Sequence, residues 1–247
     1  MSGSASGRLT LLQTARESNT QLWRVGVVVP ARDEADRIVA CLAAIATAVR
    51  VAGCPAVTCV VADRCTDATA ALARAAGADV VVNPLPRRVG TLRTIGVDRV
   101  GALLGGVTER IWLLSTDADT VVPPSWVVDH LRHAEAGADA VAGAVDLDDP
   151  HALSADVLAR YTTLVARRVA DRTHGHAYAA NLGVRADAFR RVGGYPAVAS
   201  GEEHALLNRL RRAGFRVVSP TDVRARTSAR TQGRAQGGLA DLLRGLA

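Results

Sequence analysis

Two aspartates, Asp117 and Asp119, stand one residue apart where the apolar run Ile111–Leu114 gives out, in the stretch LLSTDADTVVPP. Like charges this close repel, and each resists desolvation. Such a pair is stable as a solvated turn, or around a divalent cation that both carboxylates share, the oxygen-rich coordination that Mg²⁺ and Mn²⁺ favour. Acidic residues stand in the same relation to two other apolar runs. Arg24–Pro30 (RVGVVVP) is followed by Arg32, Asp33 and Glu34, and Ala56–Ala62 (AVTCVVA) by Asp63 and Asp67. One such cluster is ordinary helix capping; three are hard to ascribe to capping alone. Downstream, Glu202 and Glu203 open an amphipathic stretch, where the helix dipole favours negative charge.

The elements that must position these groups are legible in the apolar periodicity. Arg24–Pro30, Ala56–Ala62, Asp79–Asn83 and Ile111–Leu114 read as short buried strands. Between them, Ile38, Leu42, Ile45 and Val49 recur at helical spacing behind Asp33 as N-cap, Thr66–Gly77 is a capped helix ending at glycine, and Gly90–Leu103 is a third helix. Strands alternating with helices over short connections mean a parallel sheet with crossover helices, whose ligands bind at the carboxyl ends of the strands. The second half predicts a strand over Ala138–Val145, a helix over Ser154–Ala170, a strand within His176–Val184, a helix over Glu202–Gly214 and a terminal strand over Phe215–Val218.

Bulk properties narrow the class. The chain has 247 residues, 49% apolar and 22% charged, the profile of an ordinary globular protein and enough for one large α/β domain. Net charge is +6 and every basic residue is arginine, a bias of the kind a GC-rich genome produces and one that also suits bidentate phosphate binding. Aromatic residues make up only 3%, which argues against the stacking platforms of single-strand nucleic-acid binders, so no nucleic-acid partner is expected. Cys41, Cys54, Cys59 and Cys65 lack zinc-site spacing and read as free thiols. No apolar run reaches the about 20 residues a membrane span needs, and MSGSASGRLT has no signal-peptide core, so a cytoplasmic location is expected, with a peripheral position at the inner face of the membrane as its variant. The organisation expected is an N-terminal extension over 1–23, one α/β domain over 24–232 and a C-terminal amphipathic helix over 233–247. In that tail Leu239, Leu242, Leu243 and Leu246 share a face that packs on the body or on a homodimer partner.

Taken in order, these segments resemble the family-2 glycosyltransferases. VVVPARDE is similar to that family's opening strand and P-x-x-N-E motif, with Asp33 where asparagine is usual; VVADRCTDAT is similar to its V-D-D-G-S-T-D element, with Ala62 in place of the first aspartate. GTLRTIGV, STDADTVVPPSWV, NLGVRADAFRRVGGYP and GEEHALLNRLRRAGFRV follow in the family's order, the last with Glu203 at the usual aspartate position. The resemblance covers about Val25 to Val218 and implies a GT-A fold, a Rossmann-like, mostly parallel sheet flanked by helices in a single domain. It implies a nucleotide-diphosphate-sugar donor, a divalent cation (Mg²⁺ or Mn²⁺) and inverting, metal-dependent transfer of a sugar, a hexose by expectation, to an acceptor hydroxyl that is soluble or presented at a membrane surface. Under it Asp119 holds the metal, Asp117 lies nearer the ribose, Asp63 accepts a hydrogen bond from the base, and Pro30, Arg32 and Glu34 line the donor site, Glu34 alternatively capping a helix. Arg93 reaches the diphosphate or is a solvated helix residue. Glu203 is the base that takes the acceptor proton, with Glu202 as the helix-opening acid. His174, His176 and His204 stay outside the metal set, and Arg224, Arg226 and Arg230 are available to clamp the diphosphate.

Rival chemistries fit less well. A haloacid-dehalogenase-type phosphatase also uses D-x-D after a buried strand, but with a downstream lysine, and the chain has none. A dinucleotide oxidoreductase needs G-x-G-x-x-G after its first strand, which VVVPARDE lacks. A catalytically silent nucleotide-binding or scaffold protein on the same fold is the alternative that Asp33, Ala62 and Glu203 leave open.

Overall fold

The computed structural model describes residues 23–105, 109–149, 152–167, 169–170, 173–233 and 238–247. The expected extension over 1–23 lies outside them except for Trp23, whose ring meets Trp112 edge-on at 5.8 Å in the core. In chain order the elements are β1 (Arg24–Ala31), α1 (Ile38–Ala52), β2 (Ala56–Asp63), α2 (Thr69–Ala75), β3 (Asp79–Asn83), α3 (Val89–Leu103), β4 (Ile111–Ser115), β5 (Thr120–Val121), α4 (Trp126–Glu135), β6 (Ala140–Ala142), β7 (Ala144–Leu147), α5 (Ala155–Ala166), β8 (Val169–Ala170), β9 (Thr173–His174), β10 (Leu182–Arg185), α6 (Ala186–Arg191), α7 (Glu202–Arg212), β11 (Val217–Val218), β12 (Arg224–Thr227) and α8 (Leu239–Gly245). No helix among the described residues is long and apolar enough to cross a membrane.

The architecture is the expected mainly parallel α/β sheet with helices on both faces. Seven strands run in the order β11-β6-β10-β4-β1-β2-β3, and β10 alone is antiparallel to its neighbours. Strand β1 is buried on both sides, which is why it reads as an unbroken valine run. Val25, Val27 and Val29 meet Ile38, Leu42 and Ile45 of α1, while Val28 faces Leu92, Val97 and Val100 of α3 in a second apolar layer. Helix α3 lies so close to the sheet that a Cβ on Gly96 would fall 2.3 Å from Val28 Cγ1 and 3.2 Å from Val61 Cγ2.

Some sequence expectations are corrected. The run Ala138–Val145 is not one strand: it breaks at Gly143 into β6 of the large sheet and β7 of a separate three-stranded sheet, β5-β12-β7. Asn181 causes the break. Its side chain donates to the carbonyls of Ala144 and Val223 at 2.7 and 3.0 Å, its Oδ1 accepts from Trp126 Nε1 at 2.8 Å, and a Cβ on Gly143 would lie 2.2 Å from its Nδ2. The stretch from His176 is irregular, with a 3₁₀ turn at Ala179–Asn181, and becomes strand only at Leu182. Helix α5 spans less than expected, from an N-cap at Ser154, whose hydroxyl accepts from Val157 N, to Ala166. In α8 the leucines split: Leu243 is fully buried against the body and Leu242 is 38% exposed.

The close approach of α3 has a measurable consequence. Gly96→Ala is expected to overpack the interface and cost about 1–3 kcal/mol, lowering Tm by several degrees at roughly 2–4 °C per kcal/mol for a chain of this size. Gly245→Ala, which meets nothing within 4 Å, is expected to leave Tm unchanged or raised. Thermal melts of the two variants side by side check this; equal Tm values would show that α3 stands off the sheet.

Candidate functional site

Pro30, Arg32, Glu34, Asp63, Arg93, Asp117, Asp119 and Glu203 all line one cleft of about 700 Å³ at the carboxyl edge of the large sheet. The edge is shaped by two strand-end loops that stitch each other in place. Asp33 does not cap α1, which begins at Ile38; its Oδ1 accepts from Thr66 N at 2.6 Å, across to the loop after β2. Asp67 answers in the other direction, its Oδ2 accepting from Ala35 N at 3.0 Å and its Oδ1 from Thr69 N at 2.9 Å, so α2 starts at Thr69 rather than Thr66. The third stitch is Glu34 N donating to Thr69 Oγ1 at 2.7 Å. Asp33 itself has φ +51°, the left-handed region that aspartate and asparagine tolerate best among non-glycine residues. The ligating atoms of Asp33, Cys65 and Asp67 lie within 4.8 Å of one another, but both carboxylates already serve backbone N–H groups. This cluster is a structural knot.

Glu34 is freed from capping by the same arrangement. The helix starts on its carbonyl, which accepts from Arg37 N and Ile38 N, while its buried carboxylate accepts from both Nη nitrogens of Arg230 at 2.7 and 3.0 Å. Arg230 also reaches Asp119 Oδ2 at 2.9 Å. It can do so because β12 pairs with β5 in the register Thr227↔Thr120, bringing the chain after β12 alongside the residue before β5. Burial first, then the neighbouring Asp117, lifts the Asp119 carboxyl to about 6, with Arg230 opposing. Asp117 is instead held by Arg93, Nη2 to Oδ1 at 2.5 Å. Arg93 is buried within α3, not solvated; it also bonds Ser115 Oγ and lies 3.6 Å from Glu202. Three carboxylates, Glu34, Asp117 and Asp119, thus crowd one corner of the cleft. These are hard oxygen donors whose mutual repulsion a divalent cation relieves, and the set fits Mg²⁺ or Mn²⁺.

Asp63 closes the far wall. It is 5% exposed, and it caps no helix. Its Oδ1 accepts from Asn83 Nδ2 at 2.7 Å, its cross-strand partner at the end of β3, and Arg64 forks onto both oxygens at 3.1 and 3.2 Å. On the opposite wall Glu202 and Glu203 begin α7. Gly90 of α3 packs directly on Glu202, where a Cβ would lie 3.1 Å from the glutamate Cβ. Glu202 is buried against Arg93, whereas Glu203 faces the cleft half-buried, and burial followed by the Glu202 charge raises its carboxyl to about 7.

Of the groups left undecided in the sequence, His176 and His204 line the cleft and His174 lies behind it, its Nδ1 accepting from His176 N at 3.2 Å. Tyr178 stacks on His176 at 5.6 Å and lines the cleft beside it. Among the three arginines of RARTSAR, Arg230 enters the cleft, while Arg224 is spent on Asp146 at the surface. Asn83 escaped the sequence reading, although a polar residue ending an apolar strand is the same signal that marked Asp63. The expected C-terminal helix reaches this site too, with Leu239, Ala240 and Leu242 of α8 on the cleft wall.

Comparison with known proteins identifies the family and the fold. The profile of glycosyl transferase family 2 matches residues 26–193. No curated protein sequence matches the chain. Among solved structures, the chain is similar to a mannosyltransferase from Pyrobaculum calidifontis in complex with GDP-Man and Mn²⁺, with TM-score 0.60 and 20% identity over 91% of this chain and 65% of that one. It is similar to TarS 1–349 from S. aureus in complex with UDP-GlcNAc, with TM-score 0.60 and 12% identity over 88% of this chain and 61% of that one. It is also similar to mannosyl-3-phosphoglycerate synthase from Rubrobacter xylanophilus, with TM-score 0.58 and 20% identity over 94% of this chain and 72% of that one. The chain spans less than two thirds of the length of the first two. What these likenesses establish is the fold, which is GT-A.

The crowding of acids leaves a signature in stability. A carboxyl raised from 4.5 to about 7 in the folded state binds its proton more tightly folded than unfolded. Its cost to stability is therefore absent below about pH 4.5, grows as pH rises to 7 and is complete above. Glu203→Gln, which cannot ionise, is expected to melt at a higher temperature than wild type at pH 8, with the difference gone at pH 4. A pH-independent difference in Tm would show that Glu203 is solvated in the folded protein.

Proposed function

The chain belongs to glycosyl transferase family 2, and on that premise we propose that it moves a sugar, a hexose, from a nucleotide-diphosphate sugar to an acceptor hydroxyl with inversion, in a reaction that depends on Mg²⁺ or Mn²⁺. The observation that carries this reading is a half-buried carboxyl at Glu203, raised to about 7, on the wall of the same cleft as the Asp117–Asp119 corner. A base poised near neutrality takes a hydroxyl proton most effectively as the bond to the sugar forms. Glu202, tied to Arg93, is the positioning residue beside it and supplies part of the charge that keeps Glu203 basic.

On this reading Asp63 and its Asn83 brace hold the nucleoside end of the donor, and Pro30, Arg32 and Glu34 line its path toward the acidic corner. Asp119, with Asp117 near it, would hold the cation, which when bound offsets charge building on the departing diphosphate. Arg93 does not lie free for the diphosphate; its guanidinium is spent on Asp117, whose carboxylate it aims. The donors named in the similar structures, GDP-Man and UDP-GlcNAc, define the first substrates to try.

Release of nucleoside diphosphate from a panel of GDP- and UDP-sugars, with Mn²⁺ and with chelator, tests the proposal. The wild-type rate is expected to rise with pH through a midpoint near 7, since the acting form of Glu203 is deprotonated. Glu203→Gln is expected to lower transfer by about 10²–10⁴-fold and to abolish that rise, with donor affinity retained. Glu202→Gln is expected to be milder. Donor binding with no release from any sugar in the panel would favour a silent nucleotide-binding protein instead.

Asp63→Ala is expected to weaken nucleotide binding by roughly 1.5–3 kcal/mol, with or without cation, the usual worth of a hydrogen bond to a charged acceptor. Calorimetric titration of the nucleotide checks it; unchanged affinity with a lowered Tm would leave Asp63 as a brace for Asn83 alone.

A further inference from the structure

Arg230 is placed as a cation would be. Its Nη2 lies between two carboxylates, 2.7 Å from Glu34 Oε1 and 2.9 Å from Asp119 Oδ2, while Nη1 takes the second Glu34 oxygen at 3.0 Å. Both acids are nearly buried, at 7% and 11% side-chain exposure, so in the absence of another cation they need this one. The arginine is far less committed than its partners. It stands three residues past the end of β12, outside any helix or strand, its backbone N–H bonded to Ser228 Oγ at 3.3 Å and its side chain 28% exposed. A divalent cation held by Asp119 would place a second positive charge beside the guanidinium in a largely buried corner, where the two like charges repel and compete for the same carboxylates.

We propose that Arg230 and a divalent cation are alternative partners of the Glu34–Asp119 pair, so that cation binding displaces the guanidinium and delivers it to the phosphate oxygens of the incoming donor. The inference rests on Asp119 being the metal ligand, as proposed above. It makes Arg230 a tethered stand-in that keeps the acids apart in the cation-free protein, and it couples the order of events: cation first, then a donor met by a guanidinium with no carboxylate left to hold it. Guanidinium suits that second task because its planar fork matches phosphate oxygens as well as it matches carboxylate.

The test is calorimetric titration of the full chain with Mn²⁺ alone, and then with GDP or UDP at saturating Mn²⁺, for wild type, Arg230→Gln and Arg230→Lys. Arg230→Gln is expected to bind Mn²⁺ at least about fivefold more tightly than wild type, the low end of common coupling factors, and to bind the nucleoside diphosphate more weakly. Arg230→Lys, which keeps the charge and remains folded if the neutral variant does not, is expected to stay near wild type in Mn²⁺ affinity. Unchanged or weaker Mn²⁺ binding in Arg230→Gln overturns the competition while leaving the metal role of Asp119 intact, provided Asp119→Ala loses the ion. Absence of Mn²⁺ binding in every variant removes both.

Discussion

The structure is organised around the concentration of carboxylates at one edge of one sheet. Glu34, Asp63, Asp117, Asp119, Glu202 and Glu203 share a single cleft, most of them largely withdrawn from water. Such a grouping is held in place only by compensating charge, and two arginines supply much of it from opposite directions. Arg93 comes up through α3 and ties Asp117 toward Glu202; Arg230 comes down from the end of β12 and ties Glu34 to Asp119. Carboxylates withdrawn from water need a partner charge, so both arginines are structural in the protein alone, whatever they do with ligand present.

Much of the surrounding fold follows from the need to bring those two arginines in. Helix α3 carries Arg93 on its buried face, which works only because glycines at 90 and 96 let that face close on Glu202 and on Val28. The small sheet β5-β12-β7 ties the chain end to the acidic turn, with Thr120 and Thr227 hydrogen-bonded at 2.9 Å. That sheet exists because the chain breaks at Gly143 to let Asn181 stand where the two sheets part.

The parallel strands and the acids at their ends were legible because both signals are local: a valine run followed by a change to charge. Pro30, Arg32, Glu34, Asp63, Asp117 and Asp119 meet in one cleft for the same reason, since a parallel sheet gathers its strand ends at one edge, while Arg93 and Glu203 reach it from helices α3 and α7. What the sequence hid was pairing between distant loops. Asp33 looks like the cap of its own helix and instead serves the loop after β2, while Asp67 reaches across to Ala35 as well as to Thr69 of its own helix; only tertiary placement decides which way such a carboxylate turns. The division of Ala138–Val145 was invisible for a related reason: its apolar pattern is continuous, and the break is imposed by Asn181, some 37 residues later. Arg93 reads as an ordinary helical arginine unless the glycines beside it are recognised as the face that packs.

Strand β10 runs against its neighbours, pairing Leu182 with Ser115 and Ala142. The parallel strands deliver their carboxyl ends to the cleft; β10 delivers its beginning, so the chain passes from the cleft into the sheet there and leaves it on the far side, to return through α7. The wall that carries Glu203 is therefore built by segments that run between the reversed strand β10 and the short edge strand β11, while the wall that carries Asp63, Asn83 and Glu34 is locked into the register of β1, β2 and β3. Insertions between β10 and α7 can thus reshape one side of the cleft with no slip in the pairing that fixes the other.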